Sequence, residues 1–255
     1  MARAFSRQLR TWFSKQGRDL PWRATRDPYR ILVSELMLQQ TQVSRVLGFY
    51  DRFLTRFPTL DSVARSRPSQ VREAWRGLGY YARARNLHRL AREVSLPDGS
   101  GIMPDDPDVL RQLPGVGAYT AGAVASFAFE RRAALVDTNV ARVLRRVFAP
   151  RVNPRSTKGQ RVLWDIAKAI LPRTGKATWT HNQALMELGA LVCTARVMKC
   201  DVCPVKGYCL TQGAKGAKGE TLSTLSTLFH PLSPYFFSRC DRSSTCLYGR
   251  SGWPT

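Results

Sequence analysis

The chain has 255 residues, enough to bury one large core or two small lobes, and its apolar fraction of 44% is ordinary for a globular domain. Forty Lys and Arg against eighteen Asp and Glu leave a formal charge of +22. That excess points to a polyanionic partner, DNA or RNA being the simplest, although Arg outnumbers Lys and a genome-wide arginine bias accounts for part of it.

No apolar stretch is long enough to span a bilayer, and Met1–Arg7 has no apolar core of the signal-peptide kind. We therefore expect no membrane association and an intracellular monomer. Thiols stay reduced there, so clustered cysteines imply metal rather than disulfides.

Residues 5–16 read as a helix with Phe5, Leu9, Trp12 and Phe13 on one side. Leu20-Pro21-Trp22-Arg23 reads as a rigid extended break. Asp27-Pro28 supplies an N-cap with proline at the first helical position. Further helical patterns follow at 43–56, 60–65, 68–76, 80–95, 106–112, 118–129, 138–148, 158–171 and 181–192, with no alternating strand segment. The expectation is an all-α fold with short loops marked by Pro and Gly. From Gly213 to Thr255 the chain is rich in Ser, Thr and Gly and lacks helical periodicity, so a disordered tail is expected, with no role for Cys240 or Cys246.

Glu35 interrupts an apolar run from Leu32 to Leu38. Apolar surroundings raise a carboxyl pKa, which is what a general acid near neutral pH requires. The plainer alternative is the solvent face of an amphipathic helix. Leu113-Pro114-Gly115-Val116-Gly117 joins two helical segments. Its glycines allow a sharp turn, and the helix beginning at Ala118 offers free N–H groups to a phosphate. Asp137 stands where an apolar run meets the next helix. It is either a plain N-cap or a carboxylate held ionised by the helix dipole. On the functional reading of both, Glu35 and Asp137 would divide labour as the acid and the carboxylate of a glycosidic cleavage. Cys193, Cys200, Cys203 and Cys209 are spaced C-x6-C-x2-C-x5-C. Four thiolates so close need a cation, and the spacing fits either tetrahedral zinc or a four-iron cluster.

The cysteine spacing and the hairpin resemble those of the endonuclease III superfamily. The run Ser34-Glu35-Leu36-Met37-Leu38-Gln39-Gln40-Thr41 resembles the catalytic-acid helix of MutY-type adenine DNA glycosylases within it. The run from Gly77 to Leu87, Gly-Leu-Gly-Tyr-Tyr-Ala-Arg-Ala-Arg-Asn-Leu, is similar to a second signature of those enzymes. The likeness covers roughly residues 5–212. It implies two helical lobes, about 28–135 and 1–27 with 136–212, flanking a DNA-binding cleft. It also implies a structural 4Fe-4S cluster on the four cysteines.

Carried over to these positions, Glu35 would protonate adenine N7 and Asp137 would stabilise the sugar cation. Asn139 would orient that site. Tyr119 stands where bifunctional relatives hold a lysine, which implies base removal without strand cutting. Gln40 and Tyr80 would wedge into double-stranded DNA beside a mispaired base. Trp22, Arg23 and Gln183 would line the base pocket. Gly115, Val116 and Gly117 would grip a phosphate, and Arg196 and Lys199 would meet the backbone. His88 and His181 read as structural.

Asp137-Thr138-Asn139 departs from the Asp-Gly-Asn of many members, a change we expect to be tolerated. The Nudix-like domain that follows in many members is not expected here. The alternatives are a thymine glycosylase for G/T mismatches and a catalytically impaired, truncated DNA-binding module.

Overall fold

A computed structural model describes residues 1–95 and 101–212, so the expected tail and its two cysteines lie outside the described residues. Eleven α-helices are found there, and no named strand. They are α1 (Ala2–Gln16), α2 (Pro28–Leu38), α3 (Val43–Arg56), α4 (Leu60–Ala64), α5 (Pro68–Ala74), α6 (Ala82–Ser95), α7 (Pro107–Leu110), α8 (Ala118–Phe127), α9 (Thr138–Phe148), α10 (Thr157–Ala169) and α11 (Gly175–Leu191). No helix among the described residues is long and apolar enough to cross a membrane.

The helices pack in two groups. In one, α2 meets α3, α6 and α8, while α4 and α5 lie against α6 and α7 against α8. In the other, α11 packs on α1 and α9, and α10 on α9. The groups meet where α8 touches α11.

The α2 helix starts because Asp27 accepts hydrogen bonds from the N–H groups of Tyr29 (2.9 Å) and Arg30 (3.3 Å), with Pro28 already holding a helical φ. Ile31 through Met37 are all buried, so this stretch of the helix presents no face to solvent, while Arg30 in the first turn is exposed. Replacing Leu32 or Leu36 by Ala costs about 2–5 kcal/mol on that account.

Three expectations change. Leu20 is extended, but Pro21–Arg23 closes into a 3-10 turn through Arg23 N–H to the Leu20 carbonyl (2.8 Å). The proline φ that suggests an extended break also suits that turn. Tyr80 is not in a helix: α6 begins at Ala82, and Tyr80 has a left-handed backbone with φ 47°. The α11 helix begins six residues before the apolar periodicity does. The Thr174 hydroxyl caps it by accepting from Ala177 N–H (3.3 Å), and Trp179 packs edge-on against Phe127.

Candidate active site

Glu35 rides on the buried Ile31–Met37 stretch of α2 and is only 3% exposed. The solvent-face alternative is thereby removed. Its Oε2 accepts a 2.7 Å hydrogen bond from the Tyr119 hydroxyl, presented by the second residue of α8. Burial pushes the Glu35 carboxyl up to about 7. The Tyr119 bond and the charge of Arg23 pull it down, and the negative Asp137 pushes it up. Burial also raises the Tyr119 phenol well above its ordinary value, so it stays a neutral donor.

Asp137 caps α9. Its Oδ1 accepts from Val140 N–H at 2.6 Å and its Oδ2 from Asn139 Nδ2 at 3.0 Å. Asn139 is held in turn by Arg142, whose Nη2 donates to Asn139 Oδ1 and to the Gly189 carbonyl, both at 2.7 Å. Gly189 permits this close approach of α9 and α11: a Cβ there would stand 2.8 Å from that of Asn139. The cap is as expected, but the pKa is not depressed. Burial raises the Asp137 carboxyl above its ordinary value and outweighs these hydrogen bonds. Thr138 opens α9 without a positive φ, so no glycine is needed at that position.

Glu35 and Asp137 line one cleft of about 1270 Å³, together with Trp22, Arg23, Gln40, Tyr119, Asn139 and Gln183. Trp22 forms a wall more than a contact, being 6% exposed and edge-on to Tyr50. Arg23 Nε donates to Gln183 Oε1 at 2.8 Å, and its Nη2 donates to Glu187 Oε2 at the same distance. Glu187 also accepts from Arg18 Nε (2.8 Å), Nη2 (2.9 Å) and N–H (2.9 Å). Burial alone would raise the Glu187 carboxyl. The two guanidinium groups and the N–H outweigh it and bring the pKa down to about 2.

Arg18, Arg142 and Glu187 were missed in the sequence. Glu187 carries the very signal that marks Glu35, an acid inside an apolar run, here Leu185 to Leu188.

The wedge positions stand out by their backbone. Gln40 (φ 56°) and Tyr80 (φ 47°) are two of the three described non-glycine residues with positive φ, and both are exposed. In the hairpin Gly115 adopts φ 77°, and a Cβ there would stand 2.6 Å from that of Asn86. Val116 is buried and its N–H donates to the Leu113 carbonyl (3.1 Å), so it anchors the turn between the two glycines. Gly117 is extended, with open space around its Cα, and caps α8 with no side-chain bond, leaving the first N–H groups of that helix outward.

The four cysteines line one shared cavity and each is half-buried. Arg146 Nη1 lies 3.3 Å from Cys193 Sγ, and Arg142 Nε donates to the Cys193 carbonyl at 2.8 Å. No three metal-binding side chains among the described residues are set to hold a single ion. Arg196 and Lys199 are exposed on the loop between the first two cysteines. His181 is sealed, its Nδ1 2.9 Å from Ser6 Oγ, and burial lowers its pKa to about 3. His88 Nε2 meets the Ser66 carbonyl at 2.9 Å. Both are structural.

Residues 33–169 match the family model of HhH-GPD superfamily base excision DNA repair proteins. The chain belongs to that family. It is 43% identical over 215 residues to the adenine DNA glycosylase of Rattus norvegicus, covering 81% of this chain and 41% of the relative. The chain thus spans about two-fifths of that relative's length. Among solved structures it is similar to a thermostable thymine-DNA glycosylase, with TM-score 0.74, 32% identity, and coverage of 82% of this chain and 95% of that one. It is also similar to endonuclease III trapped as a covalent intermediate with DNA, with TM-score 0.68, 25% identity, and coverage of 82% and 94%. The all-α architecture expected from the sequence is that of this family.

Proposed function

We propose that the chain removes adenine mispaired with guanine or 8-oxoguanine from double-stranded DNA by hydrolysing the N-glycosidic bond, without cutting the strand. The observation that carries this reading is Glu35: buried, hydrogen-bonded by a neutral phenol, holding its proton up to about pH 7, on the same cleft as Asp137. Glu35 gives its proton to N7 of the flipped adenine. The base then departs as a neutral species, and the electron deficit falls on the deoxyribose. The Asp137 carboxylate, fixed by Asn139 and Val140 N–H, faces that developing charge, and water completes the hydrolysis. Tyr119 supplies no amine for a Schiff base. Arg23 and Gln183, locked by Glu187, form the polar side of the base pocket. Gln40 and Tyr80 fill the gap left in the duplex.

We read residues 28–135 as one lobe and 1–27 with 136–212 as the other, a division that the helix contacts support. Gly115 and Gly117, with the buried Val116 anchoring the turn between them, take a phosphate at the start of α8, and Arg196 and Lys199 take another. Cys193, Cys200, Cys203 and Cys209 fit a 4Fe-4S cluster. They surround one cavity, and the likeness of their spacing to the cluster loop of the endonuclease III superfamily favours a four-iron cluster over zinc. Such a cluster is a structural staple for the loop that carries Arg196 and Lys199.

The likeness to a thymine-DNA glycosylase favours T·G as the second reading. An excision assay on A·G, A·8-oxoguanine and T·G duplexes, with and without alkali, separates the two. Cleavage of the adenine strands only after alkali is expected. Cleavage confined to T·G, or cleavage without alkali, contradicts the proposal.

A further inference from the structure

Arg83 is a buried cation, 6% exposed, at the second position of α6. No carboxylate among the described residues is hydrogen-bonded to it. Instead its Nη1 donates to the carbonyls of Leu36 (2.9 Å), Met37 (2.8 Å) and Gln39 (2.6 Å) and to Thr41 Oγ1 (3.2 Å). Its Nη2 donates to the carbonyls of Leu78 (3.3 Å) and Gly79 (3.0 Å), and Nε to that of Tyr80 (3.4 Å). The Leu36 and Met37 carbonyls belong to the last turn of α2, the negative end of its dipole, which offsets the isolated charge. Tyr80 covers the group, with its ring centroid 5.4 Å from the guanidinium carbon.

These acceptors form two sets. One is the turn that carries Gln40, the other the turn that carries Tyr80. Each of those exposed residues has a left-handed backbone, a conformation that residues with a Cβ rarely adopt and that persists only where surrounding bonds enforce it. One planar fork reaches both turns at once.

We propose that Arg83 is the positioning residue that presets Gln40 and Tyr80 as a single two-pronged wedge, formed before DNA arrives. This rests on the wedge reading above. An arginine serving only to cap α2 would need the first set of carbonyls alone. Lysine keeps the charge but has a single compact head that cannot reach both sets.

The test is Arg83→Lys, measured with a duplex carrying 2-aminopurine at the target position, whose fluorescence reports flipping. We expect the flipping amplitude and the single-turnover excision rate each to fall about tenfold, with affinity for undamaged duplex unchanged within about twofold. In a Gln40→Ala/Tyr80→Ala background the same substitution should change flipping less than about threefold, because the structure it holds is already gone. A full tenfold loss in that background overturns the proposal. So does a lower melting temperature with flipping per folded molecule unchanged.

Should Arg83→Lys not fold, the wedge pair supplies the test by itself. Gln40→Ala and Tyr80→Ala should be strongly non-additive, and additive effects overturn the proposal. A wild-type protein that flips and excises nothing refutes the functional reading instead.

Discussion

Glu35 and Glu187 are both sealed from water, and their partners decide what burial does to each. Glu35 has one neutral donor and keeps its proton up to about pH 7. Glu187 has two guanidinium groups and an N–H and stays ionised down to about pH 2. For Glu35 the folded pKa is raised, so its favourable effect on stability is complete below the unfolded value of 4.5 and is lost as pH rises through about 7. Glu35→Gln should therefore abolish excision, by about 10²–10⁴-fold, while raising the melting temperature at pH 8 more than at pH 5. Calorimetry at the two pH values checks this, and equal shifts contradict it. For Glu187 the folded pKa is depressed, so its contribution is present above 4.5 and is lost as pH falls toward about 2. Glu187→Gln should cost roughly 3–5 kcal/mol at pH 7 in chemical denaturation, because Arg23 loses its buried partner. At this scale the sequence revealed Glu35 and hid Glu187. Both acids interrupt apolar runs, but the partners of Glu187 lie 169 and 164 residues away, and that pairing leaves no local trace.

Helix starts governed by local chemistry were legible. Asp27-Pro28 and Asp137 cap the helices they were expected to cap, because an acceptor side chain and free N–H groups are neighbours in sequence. Elements fixed by distant bonds were not. Tyr80 sits within a good helical pattern, yet Arg83 draws the preceding carbonyls toward α2 and the helix waits until Ala82. The hairpin glycines differ in what they permit. Gly115→Ala introduces a Cβ at positive φ against Asn86 and should destabilise the protein by about 1–3 kcal/mol as well as weaken duplex binding. Gly117→Ala meets open space, so the melting temperature should hold while affinity falls. Melting and duplex titration of the two variants distinguish these roles. A Gly117→Ala protein that binds DNA like the wild type would remove the hairpin from the interface.

Across the whole molecule, the +22 charge and the cleft between two helix groups belong to one design. A protein that contacts 6–10 phosphates loses about 10³–10⁵-fold in affinity between 50 and 200 mM salt. A steep fall of that kind is expected here, and fluorescence anisotropy at several salt concentrations measures it. The helix content could be read from sequence, and so could two of the carboxylates that line the cleft. The cleft itself could not, since its lining is drawn from residues as far apart in the chain as Arg18 and Ala190.

The most direct measurement is the single-turnover excision rate on an A·G duplex as a function of pH. With Glu35 as the acid, the rate should fall about tenfold per pH unit above roughly pH 7, and fall again in acid once Asp137 is protonated, above the ordinary aspartate range. The residual rate of the Glu35→Gln protein should show no alkaline limb. A wild-type rate that stays level or rises from pH 7 to 9 would contradict the assignment of Glu35 as the proton donor.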